Sequence, residues 1–192
     1  MNENAQASRP APVPPQLDAS LRTNVLVGRN LLRHARGAEG LLHRGCFDQL
    51  CSYLDGPRQD KVLVLYGLRR TGKTTLIRQA ILRMDDHMRA CSAFIQVTQS
   101  DTLADLNADL KVLRDAGFEY VFIDEATLME DFIEGAALFS DVFAAGGMKI
   151  VLSGTDSLGF LFAQDDQLYD RCILLHTTRH RRARHIQSER CP

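Results

Sequence analysis

The chain has 192 residues, 45% of them hydrophobic, which is one domain's worth of sequence with enough apolar content to bury a core. Its formal net charge is −1, so the overall balance calls for no polyanionic partner, although basic residues crowd its C-terminal end. No apolar run approaches the roughly 18 residues of a membrane span, no secretory leader pattern is visible, and the five cysteines form no metal-like C-x-x-C pair; reduced thiols in a cytoplasmic protein are the expectation.

Residues 1–20 carry Pro10, Pro12, Pro14 and Pro15 among Ala, Gln and Asn, a composition expected to stay disordered. Residues 21–57 read as a helical segment. Leu31, Leu32, Leu41, Leu42, Phe47, Leu50 and Leu54 suit one or two helices, the second over residues 47–54 and ended by Asp55-Gly56-Pro57. The core spans residues 58–178 and opens with an apolar strand over 61–66. Gly67-Leu68-Arg69-Arg70-Thr71-Gly72-Lys73-Thr74-Thr75 follows, then a helix marked by Leu76, Ile77, Ala80, Ile81 and Met84.

A second strand is expected over 93–97. Leu103, Leu106, Leu110 and Leu113 then mark an amphipathic helix closed by Gly117. The third strand, 120–123, is almost wholly apolar, as a strand covered on both faces should be. Phe132, Ile133, Ala136, Phe139 and Phe143 mark another helix, stopped by Gly146-Gly147. A fourth strand over 149–152, a helical stretch over 158–168 and a fifth strand over 172–175 complete the core. Strands and helices alternating at these lengths predict a three-layer α/β fold around a parallel sheet.

The nine residues from Gly67 fill the pattern G-x-x-x-x-G-K-[ST], a phosphate-binding loop between a strand and a helix. Gly67 and Gly72 permit backbone angles and close approaches that a Cβ would block. Backbone N–H groups of Arg70, Thr71, Gly72, Lys73, Thr74 and Thr75 can then point at phosphate oxygens, aided by the positive end of the helix. Lys73 supplies a cation for the β- and γ-phosphates, and the Thr74 hydroxyl is placed to ligate Mg²⁺. Arg69 and Arg70 lie inside the loop, where they contact phosphate or point to solvent.

The third strand ends in Asp124-Glu125, on the same side of a parallel sheet as the loop. Asp124 suits a Mg²⁺ role and Glu125 a water-activating one; the plain alternative is a pair of acidic residues in a helix's first turn. The fourth strand runs into Ser153-Gly154-Thr155-Asp156-Ser157. Ser153 is placed to bond the γ-phosphate or the attacking water, while Asp156 or Ser157 suits a helix N-cap. Arg171, just before the fifth strand, reads either as an arginine finger for a neighbouring subunit's nucleotide or as a surface partner of Asp165, Asp166 or Asp170.

Residues 67–75, 121–125 and 149–157 together resemble the AAA superfamily of P-loop ATPases. In detail they are similar to prokaryotic ATP-binding proteins with an AAA-type core followed by a C-terminal domain of unknown function. The resemblance covers residues 45–178. It implies a five-stranded sheet in the order 5-1-4-3-2, Mg-ATP as ligand, Glu125 as the base, Ser153 as a γ-phosphate sensor and Arg171 as the arginine finger. Family members continue from the fifth strand into a helical lid. Here residues 179–192 are basic and nearly devoid of apolar side chains, and three readings stay open for them: a nucleic-acid arm, a solvated tail, or the product of a truncated or frame-altered member.

The function expected is Mg²⁺-dependent ATP binding and hydrolysis coupled to a conformational or assembly change. A nucleotide-dependent binding module and a DNA-associated ATPase are the alternatives. A homo-oligomer and a further protein partner fit the family. The carboxylate following Asp124 argues for water rather than a small-molecule hydroxyl as phosphoryl acceptor.

Overall fold

The computed structural model describes residues 15, 17, 20–43, 45–130, 132, 137, 139–164 and 166–178. The bulk of the proline-rich tail, the basic tail 179–192, Ile133, Ala136 and Asp165 lie outside them. Six strands alternate with helices: β1 (Asn24–Val27), α1 (Gly28–Arg36), α2 (Phe47–Asp55), β2 (Val62–Tyr66), α3 (Lys73–Arg83), α4 (Asp86–Ala90), β3 (Ser92–Gln96), α5 (Leu103–Asp115), β4 (Tyr120–Asp124), β5 (Lys149–Gly154), α6 (Asp156–Gln164), α7 (Asp166–Tyr169) and β6 (Cys172–His176). A 3₁₀ turn covers Ala126–Leu128 and a π-helical segment covers Phe139–Ala144. No helix among the described residues is long and apolar enough to cross a membrane.

The strands form one sheet in the order β1-β3-β4-β5-β2-β6. The five from β2 to β6 are parallel to one another, and numbered among themselves they run 5-1-4-3-2, as expected. Side-chain alternation explains why this sheet has two covered faces. Val62, Val64, Val121, Ile123, Ile150 and Leu152 face one core, shared with α5, α6 and the π-helical segment. Leu63, Leu65, Phe94, Phe122 and Val151 face the other, shared with α1, α2 and α3. At about 1.5–3 kcal/mol per fully buried large apolar side chain, these two cores dominate the stability.

The sheet has one strand more than expected. Residues 21–57 are read from the sequence as helical, yet Asn24–Val27 pair antiparallel with β3, Asn24 opposite Gln96 and Val27 opposite Ala93. The cause lies outside the strand. Asp109 of α5, only 1% exposed, accepts hydrogen bonds from the backbone N–H groups of Arg22 and Thr23 and from the Thr23 hydroxyl, the last two at 2.7 Å. This carboxylate clamps the chain entering β1 in line with the edge of β3. A four-residue strand held by a remote side chain carries little periodic signal of its own.

A second buried charge fixes α2. The Lys149 ammonium, at the start of β5, donates to the carbonyls of Tyr53, Leu54 and Gly56 at the helix's C-terminal end, where a cation also meets the negative end of the helix dipole. Burial lowers the Lys149 pKa, with Asp55 opposing the shift and Arg58 adding to it. Gly117, at φ +92°, follows the end of α5 as the sequence predicts. No disulfide is present among the described cysteines, and Cys51, Cys91 and Cys172 are buried.

Removal of the clamp tests the account of β1. Asp109→Ala strips charge-assisted partners from the buried Thr23 N–H and the part-buried Arg22 N–H, so urea denaturation should show a loss of about 3 kcal/mol. Amide exchange over residues 24–27 should rise more than over β4, and equal protection in variant and wild type would contradict the clamp.

Candidate functional site

Because β2 to β6 are parallel, the segments leaving their C-terminal ends share one crevice. The loop after β2 delivers Gly67 at φ +153°, Arg70 at φ +63° and Gly72 at φ +88°, all in the positive-φ region, and α3 begins at Lys73. Three positive-φ residues in six turn the chain back on itself and aim backbone N–H groups inward. Gly67 has a second constraint. A Cβ there would lie 2.5 Å from the carbonyl oxygen of Thr177, just past β6, and closer still to the Thr177 hydroxyl.

Lys73 is 5% exposed, and its Nζ donates to the carbonyls of Gly67 and Leu68 at 2.9 and 3.0 Å. Its ammonium therefore lies folded across the loop. Burial lowers its pKa most; Glu125, Asp124 and Asp156 oppose the shift, and Arg69 adds to it. Three carboxylates around one buried ammonium thus counter part of the burial at the place where a phosphate would need a cation.

Asp124 is the hub of the site. It is 1% exposed, at the end of β4. Its Oδ2 accepts from the Thr74 hydroxyl at 2.7 Å, and its Oδ1 accepts from the Ser153 hydroxyl at the end of β5. Ser153, fully buried, in turn receives the Glu125 N–H at 3.4 Å. Glu125 sits in the left-handed region at φ +60°, an unfavourable setting for a non-glycine residue that recurs at functional sites. The acidic pair thus leads into a 3₁₀ turn, and no side-chain cap is made by Glu125. Oxygens of Thr74 and Asp124 at this spacing form a hard donor set of the kind that suits Mg²⁺.

The structure brings Gly67, Thr71, Gly72, Lys73, Thr74, Asp124, Glu125 and Ser153 together. Thr75 is half-buried in the first turn of α3, and Arg69 and Arg70 are exposed. Arg171 stands apart. It immediately precedes β6, at the opposite end of the sheet, where its carbonyl accepts from the Val62 N–H at 3.0 Å. Its guanidinium pairs with Asp141 of the π-helical segment at 3.0 Å, an ion pair between elements distant in sequence rather than with Asp170 beside it.

Three residues around the site have roles that the sequence reading did not give them: His34 and Thr177, which it did not single out, and Asp156, which it offered only as a helix N-cap. Asp156 opens α6 rather than capping it. Its Oδ1 is buried without a hydrogen-bond partner, 3.7 Å from His176 Nε2, and its charge reaches Lys73. His34 of α1 packs on Phe94 with ring centroids 4.3 Å apart and accepts from Arg78 Nε at 3.0 Å. Burial and then Arg78 lower the His34 pKa, while Asp124 opposes. Thr177 is the third. The only sequence signal for Asp156 and Thr177 is position, two residues past the end of β5 and one past the end of β6; His34 has none.

The close approach at Gly67 separates steric from backbone effects. Gly67→Ala meets Thr177, whereas a Cβ at Gly40, also at positive φ (+72°), meets nothing within 4 Å. In urea denaturation Gly40→Ala should lose about 1 kcal/mol and Gly67→Ala at least about 1 kcal/mol more, since only the latter adds a clash to the strained φ. Equal losses would remove the steric argument.

Comparison with known proteins agrees with this geometry. The family model described as "AAA domain" matches residues 59–178. Among solved structures, the chain is similar to S. cerevisiae Hsp104 in its casein complex, extended conformation, with a TM-score of 0.51 and 16% identity; the match covers 77% of this chain and 29% of that one. At that identity the likeness concerns the fold. No curated protein matches the chain. With the phosphate loop, the Asp124 hub and the sheet order all in place within the matched span, the chain belongs to the AAA domain family and is an AAA-superfamily P-loop ATPase.

Proposed function

We propose that this chain binds ATP with Mg²⁺ in the loop 67–75 and hydrolyses it, coupling nucleotide state to a conformational change. One observation supports the reading above the rest: the Thr74 hydroxyl bonds the buried Asp124 carboxylate while Lys73 lies across the loop's own carbonyls. Those are the hydroxyl, the carboxylate and the cation that phosphoryl transfer needs, all at one strand–helix junction.

In this mechanism the backbone N–H groups from Arg70 to Thr75 cradle the β- and γ-phosphates. Lys73 exchanges its two carbonyl partners for phosphate oxygens. Thr74 and Asp124 would hold Mg²⁺, which would supply divalent charge to offset that of the phosphates. Glu125 orients a water for in-line attack and takes its proton. Ser153 links Asp124 to the Glu125 backbone, so it registers the γ-phosphate through both. Glu125 precedes the 3₁₀ turn at a left-handed φ and spends no carboxylate hydrogen bond on capping it.

Removing the base without altering its shape tests this assignment. Glu125→Gln should keep ATP affinity and lower turnover by about 10²–10⁴-fold. Equal turnover by wild type and variant would refute the role given to Glu125.

Arg171 cannot serve the loop of its own chain from the far end of the sheet. We assign it instead to a nucleotide held by a second copy. Turnover per chain should then rise with protein concentration, and Arg171→Ala should abolish that rise while leaving ATP affinity unchanged. Concentration-independent turnover in the wild type would remove Arg171 from the mechanism.

A further inference from the structure

We infer that Thr177 is a positioning residue that ties the end of β6 to the phosphate loop and responds to the position of Lys73; the inference rests on the nucleotide reading above. Thr177 follows β6 and is 2% exposed. Its N–H donates to the Tyr66 carbonyl at 2.8 Å, extending the β2–β6 pairing by one residue beyond Tyr66 opposite His176. From there its side chain enters the loop.

The hydroxyl arithmetic makes the contact more than a latch. Thr71 and Thr177 face each other at 2.7 Å, and each also faces a carbonyl, Leu68 at 2.9 Å and Tyr66 at 3.1 Å. Each hydroxyl has a single proton to donate, and carbonyls only accept. Three contacts must therefore share two protons, and keeping the 2.7 Å hydroxyl pair hydrogen-bonded leaves two arrangements. In one, Thr71 donates to Leu68 and Thr177 donates to Thr71, while the Tyr66 carbonyl keeps the Thr177 N–H. In the other, Thr177 donates to Tyr66 and Thr71 donates to Thr177, while the Leu68 carbonyl keeps Lys73 Nζ at 3.0 Å.

Lys73 biases the choice between them. While its ammonium rests on Leu68, both arrangements satisfy every carbonyl. Once it turns to a phosphate, the Leu68 carbonyl keeps the Thr71 N–H at 3.4 Å in both arrangements, and has the closer Thr71 hydroxyl as a second donor in the first arrangement alone. Loss of the ammonium therefore favours the first arrangement, in which Thr71 donates to Leu68 and the Thr177 proton swings from Tyr66 to Thr71. Occupation of the loop is thereby felt at the last residue of the β6 pairing, where the chain leaves the sheet. Gly67 completes the device, since any side chain there would displace Thr177.

The test uses the full chain in three variants. Thr177→Val keeps the shape and deletes the hydroxyl, Thr177→Ser keeps the hydroxyl, and Thr71→Val breaks the same contact from the loop side. In nucleotide-free protein, amide exchange over residues 67–72 should rise about tenfold in Thr177→Val, the effect of one lost hydrogen bond, and return in Thr177→Ser. Thr71→Val should match it, and the double variant should add nothing further, because both delete one contact. In steady-state ATP turnover, Thr177→Val should raise KM about tenfold with kcat nearly unchanged. Wild-type exchange in Thr177→Val, additive effects in the double variant, or a fall in kcat at constant KM would each overturn the inference. The exchange arm needs no nucleotide, so a wild type that binds no ATP would refute the proposed function while leaving the tether to be decided by exchange alone.

Discussion

One buried carboxylate organises the upper end of this sheet. Asp124 holds the first turn of α3 through Thr74 and the end of β5 through Ser153, so the phosphate loop and two strand ends meet on its two oxygens. A carboxylate this deep is tolerated because both oxygens are hydrogen-bonded; without those hydroxyls its burial would be costly. The same arrangement makes the site tunable. A metal or phosphate arriving beside Thr74 competes for a bond already made, so the resting structure is preorganised rather than empty of interactions.

The Thr71–Thr177 pair adds a second connection of a different kind. Asp124 joins the loop to the centre of the sheet, whereas Thr177 joins it to the strand at one edge. Between them the loop is braced from both sides, with Lys73 lying across it. The ion pair of Arg171 with Asp141 belongs to the opposite end of the molecule, so the two ends of β6 have separate tasks.

Much of this was legible in the residues. The loop, its flanking strand and helix, and the apolar strand ending in Asp124-Glu125 each carry a local pattern, and the parallel strand order followed from the family they resemble. What escaped has a common cause. β1 depends on Asp109, more than 80 residues away in sequence. The His34–Arg78 pair requires α1 to lie against α3, which spacing alone does not reveal. Asp156 and Thr177 were within a few residues of recognised features, but their partners come from other strands. Arg171 was placed correctly along the chain, and its ion-pair partner was missed because Asp141 lies on a π-helical segment that leaves no distinctive pattern. Local chemistry is written in order; convergence of side chains from different elements is not.

The antiparallel strand β1 carries a consequence for the protein in concentrated solution. Without it, β3 would end the sheet with a row of unpaired backbone groups beside Ala93, Phe94 and Ile95, an open template for a strand from another chain. Covering that row with a four-residue strand of opposite direction leaves only a short edge exposed. The clamp at Asp109 is therefore also a guard against aggregation, and damage to it is expected to appear as loss of solubility as much as loss of fold.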